Sequence, residues 1–415
     1  MSGCLVCGST NVTTLLDMGV LPLANSFEST REAAKASTKF DLALVMCDSC
    51  LYVRLRTVVD PRVLFPKNTY LTGVSQDTRR DMEQFAVDCL KTCQLPEDAV
   101  MLDVASNDGT LMSSFRDHGV RPIGVDPSID ACQLARMKGL EVINDFFDEG
   151  GASLVASKVG EVNLITMTNV ITHVPDPVAL LQRAGELLRR DGSIALEFYY
   201  FESMIENVAF DQIYHEHISY FNFHSFCALV ERAGLEVYKV KRTSPQGGSL
   251  RVFVAPPGER SIDESVEERL KAEGGHDEIS ARYRSFPIRV TTLGTQIKDY
   301  LTAEKGRGRV VAGYGASAKA TILTNYLSLD SSHIRMIADQ NPLKQGKYVP
   351  GSAIPVVEPR ELAALRPDVV VVFPWNIQQE IALILQRAFG RTLDCLVLLP
   401  QVHSIRPEVL DDRAS

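Results

Sequence analysis

The chain has 415 residues, 45% hydrophobic and 23% charged, an ordinary globular composition with room for two or three domains. A net charge of −9 argues against nucleic acid as the main partner, and no run of about 18 apolar residues is present to span a membrane. No basic, apolar leader opens the sequence, so its nine cysteines are expected to be reduced thiols in the cytoplasm, some of them on metal.

Four of those cysteines form two matched pairs, Cys4-x2-Cys7 and Cys47-x2-Cys50. Two such knuckles can present four thiolates tetrahedrally to a structural zinc, leaving no open position for catalysis. Free cysteines and a redox pair are the alternatives, but no thioredoxin-like βαβ pattern follows either knuckle.

Val100-Met101-Leu102-Asp103-Val104 reads as a buried strand running into Ala105-Ser106-Asn107-Asp108-Gly109-Thr110 and then a helical pattern. Strand, turn of small residues and helix start make a nucleotide-type site at the carboxyl end of a parallel sheet. The next strand ends in Asp126, where a carboxylate would reach a ribose diol. Glu141-Val142-Ile143 runs into Asp145-Phe146, an acid and an aromatic suited to an adenine. A fourth strand, Val162 to Met167, ends in Asn169, with His173 four residues on; Gly192 to Glu197 supplies a fifth. The first turn has one glycine and lacks the three-glycine dinucleotide fingerprint. It suits a cofactor without a pyrophosphate, and S-adenosylmethionine fits. An ordinary strand-turn-helix is the bland alternative, weakened by Asp126, Asp145-Phe146 and Asn169 along one sheet.

Tyr214-His215-Glu216-His217 sets four titratable groups side by side in an apolar run. Burying them is costly unless they are paired or used. His215, His217 and His173 could instead bind a metal, or be satisfied core residues. In an extended segment His215 points away from Glu216, which makes it the structural member.

Ser261 to Lys305 is charged and helical in character, a solvated surface with a connecting helix. Val310 to Lys319 repeats the strand, glycine turn and helix through Gly313-Tyr314-Gly315-Ala316-Ser317-Ala318-Lys319. Ile334–Asp339, Asp368–Phe373 and Leu393–Leu399 read as further strands of a second doubly wound sheet. A dinucleotide site is disfavoured, because the third glycine is missing and the nearest acids, Asp330 and Asp339, lack a ribose-like setting. A vestigial Rossmann-like scaffold is a further alternative.

The chain resembles the sugar C-methyltransferases that make branched deoxysugars in antibiotic and surface-glycan pathways. The resemblance rests on Cys4/Cys7 and Cys47/Cys50, Ser106-Asn107-Asp108-Gly109, Asn169 with His173, Tyr214-His215-Glu216-His217, Gly247-Gly248-Ser249-Leu250-Arg251 and Gly313 to Lys319, in that order over nearly the whole length. Two positions depart from the pattern. Ala105 stands where the family usually has glycine, a methyl expected to be tolerated, and Gln246 where it often has histidine.

The resemblance implies an α/β protein of three parts: a zinc-binding module over 1–75, a class I methyltransferase Rossmann-like domain over 76–255, and a second Rossmann-like domain over 256–415 that binds a nucleotide sugar. The implied reaction is S-adenosylmethionine-dependent C-methylation of a nucleotide-linked 4-keto-6-deoxysugar, with C3 the first expectation. Asp103, Ala105, Ser106, Asn107, Asp108, Gly109, Asp126, Asp145, Phe146 and Asn169 would bind the cofactor. His217 would be the base, with His173, Tyr214, Glu216 and Tyr70 in support. Gly248, Ser249, Arg251, Gly315, Ser317, Lys319 and Asn325 would bind substrate, the diphosphate lying near Gly315, Ser317 and Lys319. A monomer or weak homo-oligomer is expected. Methylation of O or N on another small acceptor, or a non-catalytic nucleotide-sugar-binding protein, are the competing functions.

Overall fold

The computed structural model describes residues 3–64, 71–389 and 393–405. The chain divides into two units, one of Met1–Thr14, Leu44–Ser203 and Glu216–Arg282, the other of Leu15–Ala43, Met204–His215 and Tyr283–Ser415. Among the described residues no helix is long and apolar enough to cross a membrane.

The first unit is built on a seven-stranded sheet. Its spatial order is Glu236–Thr243, Ser249–Ala255, Leu188–Tyr199, Val162–Thr168, Val100–Val104, Arg121–Val125, Glu141–Ile143. The last five run parallel. Ser249–Ala255 is antiparallel to both of its neighbours. This order, with one reversed strand, is that of the class I methyltransferase fold. The central strands are buried along nearly their whole length, so they read as unbroken apolar runs rather than alternating ones. Side-chain caps fix where the covering helices begin. Ser128 accepts from Ala131 N, Asp148 from Gly150 and Gly151 N, and Asp176 from Ala179 N. The five parallel strands read from the sequence are all present. The antiparallel pair was not foreseen, because its turn was read as a substrate loop.

The cysteine knuckles belong to the same unit. After Cys47 and Cys50 the chain forms the short strand Val53–Leu55, which pairs with residues 44–46 on one side and with Ser219–Tyr220 on the other. The helix Glu264–Glu273 follows, as the charged stretch promised.

The second unit carries a six-stranded sheet in the order Val356–Val357, Ile337–Ala338, Val311–Tyr314, Val369–Val372, Asp394–Val397, His403–Ile405. The first five are parallel and the last is reversed. Numbered along the chain this is 3-2-1-4-5-6, the dinucleotide-type order, with its switch point between Val311–Tyr314 and Val369–Val372. The helix Phe286–Gly306 buries Phe286, Val290, Leu293, Ile297 and Leu301, the three- and four-residue spacing of one apolar face.

Candidate active site

The turn after Val100–Val104 alternates through the left-handed region, with φ of +55° at Ala105, +50° at Asn107 and +73° at Gly109. It folds closely over the neighbouring strand: a Cβ on Gly124 would lie 2.4 Å from Ser106 Oγ. The Ser106 hydroxyl is buried and has no protein partner, so a ligand's polar atom would satisfy it. Asp126 is buried, and its two carboxylate oxygens accept Asn107 N at 2.9 Å and Ser128 N at 2.8 Å. Asp103 accepts from Thr166 Oγ1 at 2.7 Å, and burial pushes its carboxyl up to about 7. Asp145 accepts its neighbour's amide, Phe146 N, at 2.8 Å, while Phe146 itself is half-buried. Asn169 takes the left-handed conformation and donates its amide to Glu197 O at 2.7 Å. A buried orphan hydroxyl and strand-end acids fit S-adenosylmethionine.

Three expectations about this turn change. Asn107 Oδ1 accepts Thr72 N at 2.9 Å and Asp108 Oδ2 accepts Gly73 N at 3.1 Å. Asp108 Oδ1 also takes the Thr110 hydroxyl at 2.7 Å, and Lys138 Nζ lies 3.4 Å from Oδ2. These two side chains therefore brace the turn against residues 72 and 73. Ala105 is exposed, but its positive φ makes it a strained alanine where glycine would be relaxed.

Beyond Asn169 two imidazoles meet edge to face. The rings of His173 and His217 are 4.9 Å apart at 67°. The backbone sets this pairing, because Ile218 N and Ser219 N both donate to Thr172 O, at 2.7 and 3.0 Å. His173 Nδ1 is 2.6 Å from Glu216 O. A carbonyl only accepts, so Nδ1 holds the proton and Nε2 keeps its lone pair. Burial pulls His173 down to about 4, so the ring is neutral at pH 7. Glu216 and His217 are both buried. Tyr214 and His215 fall in the second unit. There His215 Nε2 donates to Phe40 O at 3.3 Å and its ring packs edge-on to Phe40. Tyr70 lies outside the described residues.

The Gly247-Gly248-Ser249-Leu250-Arg251 segment proves to be a hairpin turn entering a core strand. Gly248 has φ +130°, and a Cβ there would lie 2.4 Å from Ser203 Oγ. Ser249 Oγ donates to Pro245 O at 3.1 Å. Arg251, expected beside a diphosphate, is 2% exposed. Its Nε and Nη2 donate to Glu197 Oε2 at 2.9 and 2.7 Å, Nη1 pairs with Asp88, and the guanidinium stacks over Phe85. Buried Glu197 and half-buried Asp88 already pair with it, so its donors are not turned to a phosphate.

In the second unit the glycine turn is partly closed on itself. Gly315 has φ +86°, a Cβ there would lie 2.5 Å from the Pro374 ring, and its amide donates to Ala338 O at 2.7 Å. Ser317 N turns back to Gly315 O, while the Ser317 hydroxyl is buried without a partner. Asn325 donates both amide hydrogens, to Thr321 O and Pro350 O, each at 2.8 Å, so its donors cannot reach a phosphate. Lys319 Nζ donates to Asn376 Oδ1 at 2.6 Å and lies 4.7 Å from the centre of the Trp375 ring. Burial lowers Lys319 to about 8 and raises the neighbouring Asp211 to about 6, and Asp211 accepts from Trp375 Nε1 at 3.0 Å. Asp339 was dismissed for its setting, yet it follows the strand Ile337–Ala338 directly beside the glycine turn, where such a sheet places its ribose acid.

The four cysteines of the first unit converge. Cys4 and Cys50 sulfurs are 3.6 Å apart, as are Cys7 and Cys47, and all four lie within 4.8 Å of one another. Tetrahedral Zn–S bonds of about 2.3 Å require sulfurs about 3.8 Å apart, so the set fits zinc.

Comparison with known proteins agrees with this geometry. Residues 4–65 match the family model "Putative zinc binding domain", 77–240 a methyltransferase domain, and 244–400 the C-methyltransferase C-terminal domain. The C-methyltransferase NovU of Streptomyces niveus is 32% identical over 380 residues, covering 91% of this chain and 90% of NovU. The chain belongs to this sugar C-methyltransferase family. A ubiquinone biosynthesis O-methyltransferase of Xanthomonas oryzae is 30% identical over 100 residues, only 24% of this chain and 42% of that protein. Among solved structures, the magnesium protoporphyrin IX methyltransferase of Synechocystis PCC 6803 with bound SAM has a TM-score of 0.34 at 14% identity, covering 43% of this chain and 79% of that one. The C-methyltransferase family match extends across all three sequence regions, and the chain is an S-adenosylmethionine-dependent C-methyltransferase.

Proposed function

We propose that the chain methylates a nucleotide-linked 4-keto-6-deoxysugar at C3, the carbon beside the ketone. The observation that carries this reading is the His173–His217 pair, a neutral imidazole protonated at Nδ1 and set edge-on against the buried ring of His217. A C–H next to a ketone is a weak acid and needs a positioned base, worth roughly 10²–10⁴-fold in rate. His217 takes the proton from C3. His173 Nε2, an acceptor at neutral pH, assists that transfer by holding a donor of the substrate or of a water. Glu216 orients the sugar. S-adenosylmethionine, when bound, supplies the electrophilic methyl group. Asp103, Asp126 and the Ser106 hydroxyl would orient it.

A nucleotide-binding role belongs to the second unit under this proposal. Its dinucleotide-type strand order, Asp339 at the end of the second strand and the unpartnered Ser317 hydroxyl support that role. Lys319 adds a cation for the diphosphate. The three sequence regions, 1–75, 76–255 and 256–415, then correspond to metal, cofactor and nucleotide functions in the cytoplasm. Zinc held by Cys4, Cys7, Cys47 and Cys50 is structural, with a closed shell.

The test is mass spectrometry of products from dTDP-, GDP- and CDP-linked 4-ketosugars with S-adenosylmethionine. One of them should gain a single methyl group. Methylation of an O or N acceptor with none of the ketosugars converted overturns the proposal. His217→Asn should then abolish both methylation and wash-out of the C3 deuteron into water; exchange at the normal rate would assign the base elsewhere.

A further inference from the structure

The cysteine knuckle and the histidine pair are joined by a short path through the buried Tyr52, Ser219 and Thr172. Cys47 and Cys50 flank a tight turn in which Leu51 N donates to Cys47 O at 2.8 Å and Cys47 N donates to Tyr52 O at 2.9 Å. Tyr52 follows immediately and is 1% exposed. Its hydroxyl is 2.6 Å from Ser219 Oγ, and its ring stacks on Phe221 with centres 5.3 Å apart. The strand that begins one residue later pairs Val53 with Tyr220 and Arg54 with Ser219, and Leu55 N donates to Ile218 O at 2.9 Å. Residues 218–221, which follow His217 directly, are thus held by residues 52–55. The same residues 218 and 219 donate to Thr172 O, the carbonyl before His173.

We infer that Tyr52 is a positioning residue, through which the metal knuckle sets the His173–His217 pair. The inference rests on the reading of that pair as the proton-transfer site. A knuckle placed only for stability would need apolar contact at this point. Instead a buried tyrosine hydroxyl is matched to a buried serine hydroxyl on the very segment that carries His217, and side-chain hydroxyls that meet inside a core fix register rather than merely fill volume. Ser219 is the common node, bound by side chain to Tyr52 and by backbone to Thr172.

Tyr52→Phe removes one oxygen and keeps the ring, so the fold and the four thiols are expected to persist. The experiment is side-chain ¹⁵N NMR of the histidines in the full chain, with zinc quantified in the same samples. In the wild type His173 should show the Nδ1–H tautomer. In Tyr52→Phe the His173 and His217 signals should shift or broaden while those of the exposed His118 stay fixed, at unchanged zinc content. Ser219→Ala should move the same signals, and the double variant should add little to either single one. Unchanged His173 and His217 signals in Tyr52→Phe, or additive effects in the double variant, overturn the inference. Failure of the base assignment is read separately, because it appears as persistent deuteron exchange in His217→Asn.

Discussion

The two sheets of this chain each begin with a strand, a turn of small residues and a helix, and the turns do different work. Around Ser106 the turn leaves a buried hydroxyl without a partner and three residues in the left-handed region. Around Gly315 the amide goes to Ala338 O, the Ser317 amide folds back on Gly315, and Pro374 fills the space that a bare glycine leaves. A glycine in such a turn can therefore mean close approach of a ligand or close approach of the protein's own chain. What separates them is which polar atoms remain unsatisfied. In the second turn that is the Ser317 hydroxyl rather than the glycine amide.

The largest expected effect tests whether the Gly248–Arg251 motif belongs with the second kind of turn. Arg251→Met leaves Glu197 buried without its cation, while Asp88 keeps Lys241 Nζ at 2.8 Å; removing one partner of a buried pair costs about 3–5 kcal/mol. Denaturant unfolding should show that loss. A variant of normal stability with weakened nucleotide binding would return Arg251 to the substrate site.

Next comes Gly315→Ala, which combines a left-handed alanine with a Cβ 2.5 Å from the Pro374 ring. Strain and overpacking together predict about 2–4 kcal/mol lost. Binding of S-adenosylhomocysteine should be unchanged by calorimetry, since the cofactor turn belongs to the other sheet. A stable variant that loses only nucleotide affinity would make Gly315 a ligand contact after all.

The histidine pair gives a pH-dependent difference. His173 is held down to about 4 from its ordinary 6.5, so as pH falls through 6.5 the unfolded chain takes up the proton first. Its contribution is therefore present above pH 6.5 and is lost as pH falls toward 4, by at most about 3 kcal/mol. Asp103, raised to about 7 by burial, acts in the opposite sense over much of the same window, because its protonated form is the one favoured in the fold. The diagnostic is thus the stability difference between wild type and His173→Gln, which should shrink from pH 7 to pH 4. A constant difference would mean that the His173 environment does not oppose charge.

Much of the cofactor sheet was legible in the sequence because its strands are buried along nearly their whole length and end in polar residues, so apolar runs mark both position and direction. His173 was legible for the same reason, as the first titratable group past a strand end. The cysteine spacing told of a tetrahedral site because such a site is local in each half. Arg251 was misread because an arginine after a glycine turn looks the same whether it faces phosphate or carboxylate; its partner Glu197 is 54 residues away. Asn325 was misread likewise, its donors being turned to Thr321 O and to Pro350 O. The Asp211–Trp375 bond joins residues 164 apart, and no periodicity connects them. Bracing by Asn107 and Asp108 was hidden by their place in a turn where ligand and backbone compete for the same side chains.

The smallest effect bears most directly on the cofactor turn. Ala105 departs from the family's usual glycine at φ +55°, and an alanine there costs roughly 1 kcal/mol over glycine. Ala105→Gly would relieve that strain but also free the unfolded backbone, which opposes the gain by about 0.4–1 kcal/mol. Net stability should therefore move by less than about 1 kcal/mol in denaturant unfolding. The exposed Ala105 methyl offers a different readout. If it touches bound cofactor, glycine will change S-adenosylhomocysteine affinity without changing stability. If it faces solvent in the complex as well, both quantities will stay put, and the position is tolerated because the turn's other left-handed residues, Asn107 and Gly109, already hold its shape.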